Sequence, residues 1–413
     1  MEDFVITGVK GRWVLDSRGN PTVEAEVFVG AVVGKAIVPS GASRGKREVL
    51  ELRDKGKAFH GRGVDKAVNA INKIIAPAIK NMDVREQKAI DEKLIQLDGT
   101  EKKEKLGGNS LLAVSLACAR AASLCLHVPL YDYLGDEKIL PVPFMNVING
   151  GEHAGNELTI QEHMICPIGA LNFRQAVQMC SEVYHTLKEI IKKKYGRQGI
   201  NVGDEGGFAP PMKDSEEALE IILHAIEENG YGDEMKLALD CAASSFFEDG
   251  RYKMEKLLTS DELLDFYVNL TKEYPIISIE DPFAEDDWHG FVEITKKMGK
   301  KLQIVGDDIF VTNIKRVKEG MERGACNAML LKPNQIGTLT ESIEVAKYCQ
   351  KNNYGIMVSH RSGDTCDSFI ADLAVALGAG QIKAGAPCRA ERTEKYNRLL
   401  RIEEELGKAK YGK

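Results

Sequence analysis

Basic residues are too few in this chain of 413 to outnumber the acids: 55 Lys and Arg stand against 62 Asp and Glu, a formal charge of −7. A general nucleic-acid binder needs a basic face, so that class is excluded. Long apolar runs are also missing. The most apolar stretch, Leu111 to Leu126, is interrupted by Ser115, Arg120 and Ser123 and reads as too short and too polar to span a bilayer. The N-terminus, Met1-Glu2-Asp3-Phe4, is acidic where a signal peptide is basic. Nine Cys are present, an odd number, and no two form a Cys-x-x-Cys pair. Cys118 and Cys125 lie seven apart on one helical face and read as small core residues. These features predict a reducing, cytoplasmic setting with no structural zinc and no disulfide framework. Proline is scarce, 13 beside 39 Gly, so backbone must come close to something at many turns. With 43% hydrophobic and 28% charged residues, disordered, collagen-like and coiled-coil classes drop out.

What remains is a soluble globular chain of two or three domains, or one small domain beside one of barrel size. The first 50 residues read as strands and turns. Val23, Ala25, Val27 and Val29 alternate with Glu24, Glu26 and Phe28, which predicts a half-buried strand. From Val64 to Leu97 the pattern is helical, with Val68, Ile71, Ile75 and Ile79 at helical spacing, and Leu111 to Leu126 predicts a buried helix. Pro129, Pro141 and Pro143 mark a connection, which places a domain boundary near Asp136 to Pro141.

Beyond it the rhythm changes. Asp214-x-x-Glu217 predicts a capping box, and Ser260 a second helix cap. Six short apolar runs each end in a polar residue: Asp240, Glu280, Asp307, Lys332, His360 and Lys383. The gaps between them are 40, 27, 25, 28 and 23 residues, close to the roughly 31 residues per unit of an eight-unit β/α barrel. The runs are apolar on both faces, as parallel strands under helices should be. The expected fold is therefore α/β: an N-terminal α+β capping domain, 1–138, and a C-terminal TIM-like barrel, 139–413. A doubly wound sheet with incidental charges after its strands is the alternative.

In a barrel, Asp240, Glu280 and Asp307 converge at the C-terminal mouth, where catalysis sits. Three converging carboxylates repel one another unless a cation joins them, and hard oxygen ligands select Mg²⁺, Mn²⁺ or Ca²⁺. A lysine beside a dication should lose its proton more readily, which suits Lys332 to act as a base. Asp204 and Glu205 sit between glycines, His153 lies in a Gly-rich turn followed by Gln161-Glu162, and Ser40-Gly-Ala-Ser-Arg-Gly reads as a mobile loop. Arg361 and Ser362 offer a guanidinium and a hydroxyl suited to phosphate.

Taken together, Asp16-Ser-Arg-Gly-Asn-Pro-Thr, Ser40-Gly-Ala-Ser, Asn149-Gly-Gly, Gly203-Asp-Glu-Gly-Gly, Ser278-Ile-Glu-Asp-Pro, Gly306-Asp-Asp, Lys332-Pro-Asn-Gln-Ile-Gly and Ser359-His-Arg-Ser-Gly resemble the enolase family over essentially the whole chain. The resemblance implies reversible dehydration of 2-phosphoglycerate to phosphoenolpyruvate. A Lys or His base with one or two Mg²⁺ is the established pattern of that superfamily. By resemblance, Asp240, Glu280 and Asp307 hold one Mg²⁺ and Ser43 a second that arrives with substrate. Lys332 is the base at carbon 2, and Glu205 the acid at the 3-hydroxyl. His153, Glu162, Glu280, Asp307, His360, Arg361, Ser362 and Lys383 contact substrate. A homodimer, or an octamer of dimers, is implied, with cytoplasmic residence and a surface-associated or secreted fraction in some relatives. Arg44, Glu152, His163, Ser245 and Ala384 depart from the family pattern. His163, for instance, stands where Phe is common. The alternatives are another lyase of the superfamily or a non-catalytic protein reusing the fold.

Overall fold

The structure is a computed structural model that describes residues 4–41, 45–151 and 154–412. The chain opens with three antiparallel strands, β1 (Gly8–Leu15), β2 (Pro21–Val29) and β3 (Val32–Ile37), in the order β1-β2-β3. Val23, Ala25, Val27 and Val29 of β2 are buried, as the alternation requires. The inward face packs on the helix Gly108–Cys125. Contact there is so close that a Cβ on Gly34 of β3 would lie 2.2 Å from the Ala117 carbonyl oxygen. By length and a mean hydropathy of 1.3 this helix could cross a membrane, contrary to the sequence reading; in the fold it is 83% buried as a core helix.

Two other local expectations change. The helical pattern over 64–97 divides into Asp65–Ala70, a π-helical turn Ile71–Ile75, Ala76–Ile79 and, after a break, Gln87–Asp98. The break falls where Asn81 takes a left-handed φ of 72° and the chain bonds back to the N-terminus through Ile6 and Val84. Asp214 caps its helix by accepting from the Glu217 amide, but the Glu217 carboxylate turns to Lys194 and Tyr195, so the box is half made. The cap before Ser260 is Thr259, which forms a complete capping box with Glu262. Ser260 instead donates to Asp287 at 2.6 Å.

The remaining strands close a barrel: β4 (Val142–Asn149), β5 (Glu162–Cys166), β6 (Lys236–Asp240), β7 (Ile276–Glu280), β8 (Gln303–Gly306), β9 (Ala328–Leu331), β10 (Gly355–Ser359) and β11 (Gly380–Lys383). All pairings are parallel except those of β5, which runs antiparallel to both β4 and β6. The reversal brings the start of β5, not its end, to the C-terminal mouth, where Glu162 pairs in register with Asp240. Val142, Phe144, Met164, Cys166, Ala238, Val305, Ala328, Leu330 and Met357 fill the interior, so the barrel is a packed core rather than a pore. At its lower end Gln303 and Gln381 exchange amide hydrogen bonds of 2.8 and 2.9 Å.

The N-terminal sheet is tied onto the barrel by named bonds. Ser40 and Gly363 exchange backbone hydrogen bonds at 2.7 and 2.8 Å. Arg120 forms a two-pronged pair with Asp367, at 2.7 and 2.6 Å. Asp91 accepts from the amide and hydroxyl of Thr340, at 2.9 and 2.6 Å, in the first turn of the barrel helix Leu339–Lys351.

Candidate active site

Each of the six strand-end residues anticipated from the sequence lies at or immediately after the end of a barrel strand. One cavity at the mouth is lined by Glu162, Glu205, Asp240, Asp307, Lys332, His360, Arg361, Ser362 and Lys383. Glu280 does not line it but reaches the same cluster through Lys383. Ser43 and His153, with Arg44 and Glu152, lie outside the described residues.

Lys383 is the hub of one half. Its buried ammonium contacts Asp240 Oδ2 at 2.6 Å, Glu280 Oε2 at 2.9 Å and Glu162 Oε1 at 3.2 Å. Burial opposes its charge, but Asp240, Glu162 and Glu280 outweigh burial and hold it well above the ordinary lysine range. Burial likewise resists ionisation of Asp240, yet Lys383 keeps that carboxyl below its usual value. Glu280 and Glu162 go the other way. Burial, then Asp240 for Glu280 and Glu205 for Glu162, lift both well above the usual carboxylate range. Four acids and one ammonium in a dry site cannot all be satisfied as charges.

Lys332 anchors the other half, 2.5 Å from Asp307 Oδ2. Burial acts to strip its proton, but Asp307 prevails and its pKa is raised rather than lowered. This reverses the direction expected from the sequence, because that expectation counted a dication's charge and these side chains alone supply a carboxylate. A cation on the same oxygen would restore the lowering.

The three acids Asp240, Glu280 and Asp307 do not form the tightest acidic group. Asp281, Asp307 and Asp308 do: each offers an oxygen within 4.8 Å of the others. Lys383 explains the difference, since its ammonium lies between Asp240 and Glu280. The donor set still suits a hard cation, being carboxylate oxygen throughout. Glu280 Oε1 is also buried without a hydrogen-bond partner among the described residues.

On the far wall, Glu205 Oε2 accepts from Asn146 at 3.2 Å and faces His360 Nε2 at 3.5 Å. Arg392, fully buried, donates to His360 Nδ1 at 2.5 Å. An arginine cannot accept, so Nδ1 is the bare nitrogen of the neutral ring and the Nε2 proton points at Glu205. Burial pushes His360 down to about 4, keeping it neutral. Arg392 also donates to the carbonyls of Arg361, Ser362 and Asp204, at 2.5, 2.6 and 3.1 Å, and so fixes two site loops together. The Arg361 guanidinium makes a two-pronged pair with Glu48 from the N-terminal part, at 3.0 and 3.1 Å.

Sequence reasoning passed over Glu48, Asp281, Asp308, Gln335 and Arg392. Gln335, Asp281 and Asp308 lay inside quoted motifs, so the signal was present. For Arg392, on the helix Ala390–Leu406, none was. Of the departures, His163 and Ala384 are fully buried, whereas Ser245 is exposed on a short turn beyond Asp240.

The family model for the enolase N-terminal domain matches residues 6–134, and that for the enolase C-terminal TIM barrel domain matches residues 137–412. Curated relatives named enolase include one from Thermococcus gammatolerans and one from Pyrococcus furiosus. Each is 58% identical over 410 residues, covering 98% of this chain and 95% of the relative. Another, from Methanocaldococcus jannaschii, is 57% identical over 414 residues, covering 99% and 97%.

Proposed function

This chain belongs to the enolase family, and from that premise we propose how its side chains remove water from 2-phosphoglycerate, reversibly, to give phosphoenolpyruvate in glycolysis and gluconeogenesis. The observation that carries the reading is the cavity where two lysines, Lys332 and Lys383, face Glu205 and His360 across a floor of carboxylates.

Lys332 takes the proton from carbon 2. That carbon acid is very weak, so its conjugate base must be stabilised as it forms. A Mg²⁺ held by Asp240, Glu280 and Asp307 supplies that electrostatic stabilisation and lowers the proton affinity of Lys332. Ser43 is assigned to a second Mg²⁺ that binds with substrate. Lys383, buried and firmly cationic, faces the substrate carboxylate. Glu205 hands a proton to the departing 3-hydroxyl, with Asn146 and the His360 Nε2–H orienting it and Glu162 behind it. Arg361 and Ser362 take the phosphate, and His153 closes on the substrate. Base and acid thus stand on opposite walls, as an elimination across two adjacent carbons requires.

The division into 1–138 and 139–413 is supported by the two family matches, which leave only a short gap at the connection. Operation in the cytoplasm accords with nine free Cys. A homodimer is supported by the exposed Trp13 and Leu15 of β1, with Phe59 edge-on against Trp13. Light scattering after gel filtration would return twice the chain mass, and a monomer would refute it.

Lys332→Ala tests the assignment of the base. Turnover should fall at least about 10²–10⁴-fold while Mg²⁺ binding by calorimetry persists, since an acid loses its competing ammonium. Retained turnover would remove Lys332 from its role.

A further inference from the structure

Gln335 lies in the turn that follows Lys332 and is 1% exposed. Its side chain is held at both ends. The Oε1 atom accepts from the Thr312 hydroxyl at 2.8 Å, and Nε2 donates to Asp307 Oδ1 at 2.8 Å. A longer contact, 3.4 Å, runs from Nε2 to Glu48 Oε1. Its main chain is fixed too: its carbonyl accepts from the Val49 amide at 3.0 Å, and its amide donates to the Lys332 carbonyl at 2.9 Å.

The direction of the amide follows from one proton. Thr312 Oγ1 accepts the Lys332 amide at 2.9 Å, which leaves the hydroxyl one proton to give. The rival acceptor, the Leu330 carbonyl, is 3.4 Å away, so the proton goes to Gln335. The atom facing Thr312 is then the oxygen, and the amide nitrogen faces two carboxylates. The flipped amide would set a carbonyl oxygen against both.

Thr312 is itself placed at a cost. Val311 and Thr312 adopt φ values of 43° and 53°, a left-handed conformation that β-branched residues avoid and that costs on the order of 1–3 kcal/mol per residue. Such strain persists only where surrounding bonds over-determine the backbone.

We propose that Gln335 is a positioning residue of this active site: it claims one oxygen of Asp307 so that the other faces Lys332, and it links that carboxylate to the Glu48–Arg361 pair. The inference rests on the roles given above to Asp307 and Lys332. Its consequence is that a hydroxyl with no access to substrate, that of Thr312, sets the geometry of a metal ligand.

The test uses the full-length protein in four variants, Gln335→Met, Gln335→Glu, Thr312→Val and Thr312→Ser. Two readouts are taken: Mn²⁺ binding by electron paramagnetic resonance, which needs no turnover, and kcat and KM for 2-phosphoglycerate. Gln335→Met keeps the length but removes the donor. It should weaken Mn²⁺ binding and lower kcat by about 10–100-fold each, with KM moving less than either. Gln335→Glu adds a third carboxylate and should be at least as impaired in kcat. Thr312→Val should lose several-fold in both readouts, and Thr312→Ser should restore them. This second pair decides the matter even if a Gln335 variant fails to fold. Gln335→Met within twofold of wild type in both readouts would overturn the proposal, as would equal behaviour of Thr312→Val and Thr312→Ser. Wild-type protein that binds Mn²⁺ but leaves 2-phosphoglycerate unchanged would refute the functional reading, and the Mn²⁺ comparison would still judge Gln335.

Discussion

His163→Phe tests how burial governs titration in this barrel. On β5, Met164 and Cys166 point into the barrel interior while Ile165 joins the layer between strands and helices. His163 shares the parity of Ile165, so it is turned away from the mouth and into that apolar layer. It is fully buried, and neither ring nitrogen has a hydrogen-bond partner among the described residues. Burial pushes its pKa from 6.5 down to about 4, with the Ile148 main chain pulling weakly upward. An unsatisfied buried polar group costs on the order of 1–3 kcal/mol. Part of the gain from removing it is lost to crowding by the larger ring, so a net stabilisation of about 1 kcal/mol is expected near neutral pH. The pH dependence is more diagnostic. Between pH 6.5 and about 4 the unfolded imidazole is protonated and the folded one is not, so the wild type loses stability as pH falls through this window. The linkage amounts to about 2 kcal/mol from neutrality to about pH 5, and the Phe variant lacks it. Urea denaturation of both proteins across that range measures the difference. His360, also held near 4, titrates in both and cancels. Parallel pH slopes, or a variant less stable at every pH, would refute the reasoning.

Three further outcomes follow from the same geometry. Lys383→Met leaves Asp240, Glu162 and Glu280 buried without their shared cation. It should cost about 3–5 kcal/mol near neutrality, and less in acid, where Glu162 and Glu280 take up protons; a urea titration without added Mg²⁺ reports it. Gly363→Ala would set a Cβ 2.6 Å from the Ser40 carbonyl oxygen. It should raise KM for 2-phosphoglycerate by loosening the N-terminal loop from the barrel, with thermal stability falling by about 1–3 kcal/mol. Arg392→Met should abolish turnover by releasing His360 and the Arg361 and Ser362 carbonyls together; a histidine ring signal by NMR that kept the Nε2–H tautomer would contradict the role given to Arg392.

The barrel was legible because parallel strands buried on both faces are short apolar runs, and each of the six runs predicted from Lys236 onward ends where the structure ends it. The two strands without that signature, β4 and β5, were read only as glycine-rich and acidic loops. β5 is antiparallel and alternates about Glu162, so it lacks the run-then-acid pattern. The acids were correctly placed at the mouth, but their partners were not. A sequence gives a strand-end lysine its position but not which carboxylates it bridges, and Lys383 drawn between Asp240 and Glu280 moves the tightest acidic trio to Asp281, Asp307 and Asp308. Residues that act through others, such as Gln335 and Arg392, left the weakest trace. Their importance lies in hydrogen bonds between segments up to 188 positions apart, as in Arg392 to Asp204, which no local pattern encodes.

The central claim, that this mouth performs the family's dehydration with a carboxylate-held cation, is tested most directly by ultraviolet absorbance of phosphoenolpyruvate formed from 2-phosphoglycerate by the purified protein. Turnover with Mg²⁺, its loss on chelation and its return on adding Mg²⁺ back are predicted. A folded, Mg²⁺-loaded protein that leaves 2-phosphoglycerate unchanged, or one that works equally well under chelation, would contradict it.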